Sequence, residues 1–177
     1  MSFDGEILAI DPATKTGAAW GAPGTTPHIE TVNLGRDDIA DSYGAAVAWM
    51  ATKLRDRPPA LVVIEKVVPP SSAWGHTNHA TTMITIGLFG ILCGIARCKS
   101  IPLLLAPINS WRKHSLGSGR LAGEQAKHRA VRLCRSLGWD APDHNAAEAA
   151  CIFIWASAQV APERAPRIEP LFTRRAS

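Results

Sequence analysis

The segment Ala60–Lys66, ALVVIEK, constrains the fold more than any other part of the chain. A β-branched run without polar alternation cannot turn one face to water, so it forms a central strand covered on both sides. Glu65 lies near the carboxyl end of that run, where an ionised carboxylate is costly to bury without a partner. Glu6–Asp11 has the same form, a short apolar run closed by an Asp-Pro turn, which puts Asp11 at a strand end as well. In open sheets, ligands gather at the carboxyl ends of the strands.

Around these two runs the remaining segments alternate in period. Gly17–Gly21 and His28–Leu34 read as further strands, joined by short turns in an antiparallel meander. Ile39–Arg55 changes to helical spacing through Ile39, Ala46, Val47, Met50 and Leu54, and Pro58-Pro59 stops it. A loop over Pro69–Gly75, an apolar helix over Ala80–Ala96 and on through Arg97, and a buried strand over Ile101–Ala106 follow. Pro107–His114 reads as a short turn or helix, Arg120–Leu137 as an amphipathic basic helix and Asn145–Gln159 as a last helix. The order β-β-β-α-β-α-β-α-α predicts an α/β fold, a mixed sheet with helices on its faces. The expected domain spans residues 1–161, and 162–177 is expected to be a loosely attached tail. With 177 residues, 46% of them hydrophobic, the chain buries a core without metal or disulfide staples.

Several classes are excluded. Ala80–Ala96 has no charged residue, but it falls short of the roughly 20 residues that span a bilayer and contains three threonines and three glycines. A buried helix is expected, with no membrane role, and Gly87, Gly90 and Gly94 make it the leading candidate for a subunit interface. The N-terminus carries Asp4 and Glu6 in place of a basic start, so a signal peptide is not expected there. Cys93, Cys98, Cys134 and Cys151 form no C-x-x-C pair, so reduced thiols and a cytoplasmic location are expected. Phosphate-loop, G-x-S-x-G and H-E-x-x-H motifs are absent.

A third acidic element opens the last helix, PDHNAAEAACIFIWA. Asp143 reads as its cap, Glu148 shares a face with His144 or Asn145, and Ala146, Ala147, Ala149 and Ala150 let the helix press on the sheet. Asp11, Glu65 and Glu148 are thereby delivered to one edge, and clustered carboxylates suit a hard divalent cation, Mg2+ or Mn2+. Two such ions, about 4 Å apart, activate water in phosphodiester cleavage. Plainer readings stand beside this one: a turn aspartate at 11, an ion pair at 65, and a capped polar first turn at 143–148.

The basic residues point the same way. Arg112, Lys113, Arg120, Lys127, Arg129, Arg132 and Arg135 face the single acid Glu124 between 112 and 135, beside the Gly-rich SLGSGRLAG. With a net charge of +4, this favours a nucleic-acid backbone, although a solvated basic helix face would read alike. Candidate DNA contacts are Arg112, Lys113, Arg120 and Arg129, with Trp74, His76 and Trp111 as residues that stack against bases.

At these residues the chain resembles the RuvC-type Holliday-junction resolvases of the ribonuclease H-like superfamily, especially the small phage-type members. LAIDPATKTGAAWG looks like the family's first strand, aspartate and second strand, and VVIEK like its fourth-strand segment. APINSWRKHSLGSG with Ala126-Lys127 looks like the strand, turn and basic loop that follow, and NAAEAA like the acidic pair of the last helix. The resemblance implies a five-stranded ribonuclease H-like sheet and ion ligands at Asp11 and Glu65. It places Asn145 and Glu148, assisted by His144, at the second metal position and Lys127 at the site edge. It departs at the last pair, where the family usually has Asp twice or His then Asp. The implied activity is metal-dependent hydrolysis of branched DNA by a homodimer, most simply the symmetric nicking of four-way junctions to leave 5′-phosphates. Alternatives are a flap, fork or packaging-related nuclease of the same fold, or a junction-binding module with little catalysis. An actin-like or sugar-kinase fold would need a longer chain.

Overall fold

The computed structural model describes residues 3–67 and 79–166. Its elements are β1 (Ile7–Asp11), β2 (Lys15–Gly21), β3 (His28–Asn33), α1 (Ile39–Asp56), β4 (Leu61–Glu65), α2 (His79–Cys98), β5 (Leu103–Ala106), α3 (Ile108–Leu116), α4 (Gly123–Ser136) and α5 (His144–Val160). The five strands form one mixed sheet in the order β3-β2-β1-β4-β5. The two most apolar runs, β1 and β4, lie side by side and parallel within it, and β2 and β3 add antiparallel neighbours to β1.

Alternation along β1 and β4 divides the core in two. Ile7, Ala9, Leu61 and Val63 join the cluster formed with α3, α4 and α5, whereas Leu8, Ile10, Val62 and Ile64 join that formed with α1 and α2. The β1–β4 register runs from Ile7 opposite Leu61 to Ile10 opposite Ile64. One further step sets Asp11 beside Glu65, and the same parity turns both carboxylates toward the α5 face.

On the opposite face α1 is capped by Asp38, whose carboxylate accepts from the amides of Ala40 and Asp41. Its partner α2 departs from the expected buried helix. Leu88, Leu92 and Ala96 are fully buried, but Met83 is 49% exposed and Ile86 37%. Among the described residues α2 contains the one stretch, Thr81–Cys98, long and apolar enough to cross a membrane by length and composition. It packs on the sheet through one stripe only, and among the described residues α1 is the helix it packs against. Gly87 receives the ring of Tyr43 from α1, while a Cβ at Gly90 or Gly94 would meet nothing within 4 Å.

Two boundaries also differ. Pro107–His114, left open between turn and helix, is helical as α3 and ends on Gly117 at φ +81°. The basic helix begins at Gly123 instead of Arg120, because the preceding loop folds back on α3: a Cβ at Gly119 would lie 2.6 Å from the Asn109 carbonyl oxygen. Residues 162–166, the described start of the expected tail, are tied down. The amides of Arg164 and Ala165 bond to the Ala161 carbonyl, and the Arg164 guanidinium donates to the Phe3 carbonyl.

The element that organises this face of the sheet is α5, every residue of which is buried from Ala146 to Ser157. It lies across β1 and β2, and its first turn meets the sheet at Gly17, where a Cβ would stand 2.0 Å from the Asn145 carbonyl oxygen. Replacement of Gly17 by Ala is therefore expected to destabilise the protein by about 1–3 kcal/mol, through overpacking against backbone that cannot yield. Gly44→Ala on α1, where a Cβ meets nothing within 4 Å, is expected to stabilise it by about 0.5–1 kcal/mol. Urea denaturation of the two variants should give midpoints on opposite sides of the wild type.

Candidate functional site

Three elements bring carboxylates to the carboxyl end of the sheet. Asp11 closes β1 ahead of a turn held by Thr16, whose hydroxyl donates to the Ala13 carbonyl at 2.6 Å. Glu65 closes β4, and Glu148 sits on the second turn of α5, buried. The start of α5 is fastened to the sheet by Asp143, which accepts from the Ala146 amide and, at 2.6 Å, from the hydroxyl of Thr31. Thr31 on β3 pairs with Gly17 on β2, so cap, glycine and helix start meet at one place.

The three carboxylates disfavour one another's ionisation. Burial holds Asp11 well above the usual carboxylate range, and the charges of Glu65 and Glu148 push it further. Glu65 is raised from 4.5 to about 7, by burial and then by Glu148, against the opposing hydrogen bond from Trp111. Burial also raises Glu148, opposed by Arg112, His144 and Lys127. The relief comes mostly from α3. The buried Trp111 donates its indole Nε1 to Glu65 Oε2 at 2.7 Å. Arg112 lies with its guanidinium 3.4 Å from Glu148 Oε1, 3.4 Å from the Leu121 carbonyl and 5.3 Å from the Trp111 ring centroid.

Asp11, Glu65 and Glu148 are thus brought together, and Lys127 stands close enough to feel both Asp11 and Glu148 while pairing with Glu124 at 2.9 Å. His144 lies near Glu148 and Glu124. Asn145 places its backbone against Gly17 and hydrogen-bonds through its side chain to Asp143, turning toward the cap. Of the expected DNA contacts, Lys113 and Arg120 are exposed. Arg129 is partly buried and donates to the Leu116 carbonyl at 3.0 Å. Trp111 is a correction: with no exposed surface and its N–H bonded to Glu65, it orders a carboxylate and has no face open to a base. Arg112 likewise turns inward, its side chain only 17% exposed. Trp74 and His76 lie outside the described residues.

Two features escaped sequence reasoning. The pairing of Arg112 with Glu148 joins residues 36 positions apart, and no local pattern announces it. The second is a cleft of about 380 Å³ between α4 and the start of α5, in which Lys127, Arg132 and Arg135 of the basic run meet His128, His144 and the acidic Glu124 and Asp143. The helical spacing of 128, 132 and 135 was the available signal.

Among the described residues no three His, Cys, Asp or Glu side chains stand gathered as a ready ligand set. Glu65 and Glu148 instead each direct an oxygen to an α3 donor. The donor chemistry nevertheless suits a hard cation: it is all oxygen, and burial together with mutual repulsion raises the carboxylates, so that a cation placed among them would favour their ionised forms.

No family model matches the chain, and no curated protein matches it. Solved structures do. Thermus thermophilus RuvC is 19% identical, with a TM-score of 0.64 over 87% of this chain and 95% of that one. T. thermophilus RuvC in complex with a Holliday-junction substrate is 16% identical, with a TM-score of 0.65 over 87% and 94%. The yeast mitochondrial Holliday-junction resolvase Ydc2 is 13% identical, with a TM-score of 0.59 over 89% and 81%. At these identities the likeness is one of fold, and the chain has the ribonuclease H-like α/β fold.

The raised carboxylates set a direction for stability against pH. Between about 4.5 and 7 the unfolded chain has released the Glu65 proton while the folded chain still holds it, so stability falls as pH rises through that window. Glu30, lowered by Lys53 despite burial, and Asp143, lowered by its hydrogen bonds, act in the opposite sense only at more acid pH. In EDTA the melting temperature is expected to drop from pH 5 to pH 7.5. Asp11→Asn, which removes a repelling charge, should raise the pH 7.5 value; a wild-type profile that climbs over this range would contradict the assignment.

Proposed function

We propose that the chain is a metal-dependent endodeoxyribonuclease of the RuvC type, hydrolysing phosphodiesters in branched DNA and nicking four-way junctions symmetrically as a homodimer. The observation that carries this reading is the convergence of Asp11, Glu65 and Glu148, from two adjacent strand ends and one helix, where burial and mutual repulsion raise them above the usual carboxylate range. Its fold is shared with a RuvC and a yeast Holliday-junction resolvase. Asp11 and Glu65 are the residues that would hold Mg2+ or Mn2+, with Glu148 the third carboxylate and His144 and Asn145 beside it. The ion supplies Lewis-acid activation of water and charge stabilisation at phosphorus. Lys127 at the site edge and the exposed Lys113 and Arg120 meet the DNA backbone, and Trp74 and His76 are the proposed base-stacking residues.

End-labelled four-way junction, flap and plain duplex, each in Mg2+ and in Mn2+, test the reading beside a Glu65→Gln control. Paired nicks at symmetric positions of the junction are expected, reduced by at least about a hundredfold in the control. Cleavage confined to flaps or forks would make it a different nuclease of this fold, and junction binding without cleavage would make it a binding module.

The outer stripe of α2, with Met83 and Ile86 exposed and open space over Gly90 and Gly94, supports the second copy. Gly90→Arg adds a charge where a Cβ meets nothing in the protomer, so the protomer fold is expected to be retained, with an unchanged helical circular dichroism spectrum. Sedimentation should then change from dimer to monomer; a variant that remains dimeric would exclude this face.

A further inference from the structure

We propose that Arg112 is a built-in cation standing in place of a second divalent ion, so that this chain binds a single metal ion between Asp11 and Glu65. The inference rests on the metal-dependent reading above and concerns how the chain balances charge within that site.

Four observations converge on it. Arg112 is nearly enclosed and directs its guanidinium to Glu148, itself only 9% exposed, so the carboxylate on the α5 wall already has a fixed positive partner. That partner is held from two further sides, by the Leu121 carbonyl and the face of Trp111. Guanidinium does not deprotonate in proteins, so the charge is permanent and its planar fork suits a carboxylate. Asn145 is neutral and engaged with the Asp143 cap, which leaves the α5 wall with one acidic ligand for any ion placed there.

The fourth observation is the charge count. Lys127 is paired with Glu124, so among the described residues the interior holds the three carboxylates against Arg112 and carries two uncompensated negative charges when all are ionised. One divalent ion neutralises these. A second would leave a buried surplus of two positive charges, and an unpaired buried charge is strongly disfavoured. The same balance explains why Asp11 and Glu65, the two carboxylates without a cationic side chain bonded to them, are the pair left to hold an ion. Arg112 also keeps one buried donor, Nε, without a protein acceptor, so its hydrogen-bonding capacity is not exhausted by Glu148 and Leu121.

Counting bound Mn2+ by electron paramagnetic resonance at pH 8, with no DNA present, tests this apart from activity. The wild type is expected to bind one ion per chain and Asp11→Asn none. Arg112→Met, which keeps the packing on Trp111 but frees Glu148, is expected to bind two. The double variant Arg112→Met/Glu148→Gln, which removes the ion pair and leaves the two negative charges of Asp11 and Glu65, is expected to keep the single ion with affinity within about threefold of wild type. It covers the case in which Arg112→Met fails to fold. Two ions in the wild type, one in folded Arg112→Met, or a loss of tenfold or more in the double variant would overturn the proposal while leaving a metal-dependent nuclease standing. No bound ion in the wild type would overturn both.

Discussion

The contact between Gly17 and the first turn of α5 governs the rest of the structure. Only a residue without a side chain allows the Asn145 carbonyl to settle on β2, and the bond from Thr31 to Asp143 secures the helix there. Because α5 is buried on all sides from Ala146 to Ser157, it cannot slide or tilt to relieve strain at its start without opening both its contact with the sheet and its contacts with α3 and α4. The depth of Glu148 is therefore a consequence of backbone packing at a glycine some 130 residues earlier in the chain.

That packing creates an electrostatic problem which the same architecture partly answers. Asp11 and Glu65 end adjacent parallel strands with the same side-chain parity, and Glu148 is pressed in above them. The pairing of Glu65 with Ala106 on β5 means that the chain leaves the sheet right beside Glu65 and turns at once into α3. One turn later Trp111 and Arg112 arrive, one to bond Glu65 and the other to bond Glu148. The relief is incomplete, as the raised carboxylates show, and a residual cost of this kind at a strand end is characteristic of a site that binds something.

Much of this was legible in the sequence. The unbroken apolar character of ILAID and LVVIE identified the two central strands, and with period two it already put Asp11 and Glu65 in equivalent positions. The alanines around Glu148 announced a helix that packs closely. Other features were not legible, for separate physical reasons. Tryptophan beside arginine and lysine reads as a nucleic-acid surface, yet the burial of Trp111 depends on α3 being covered by α5, a contact between segments far apart in sequence. The uniform hydrophobicity of α2 conceals its orientation, since a helix apolar on every side has no stripe from which to infer which side meets the sheet. The start of α4 was displaced from Arg120 by the close approach of Gly119 to Asn109, which no propensity records.

Taken by itself, then, the sequence determined the strands, their order along the chain, and the acidic residues that close two of them, because period and hydrophobicity are properties of consecutive residues. The tertiary structure alone decided which charge meets which. Arg112 faces Glu148, Trp111 faces Glu65, and Asn145 turns to its cap, because electrostatic partnership depends on distance through space and on burial, and both are produced only when α3 and α5 close over the strand ends.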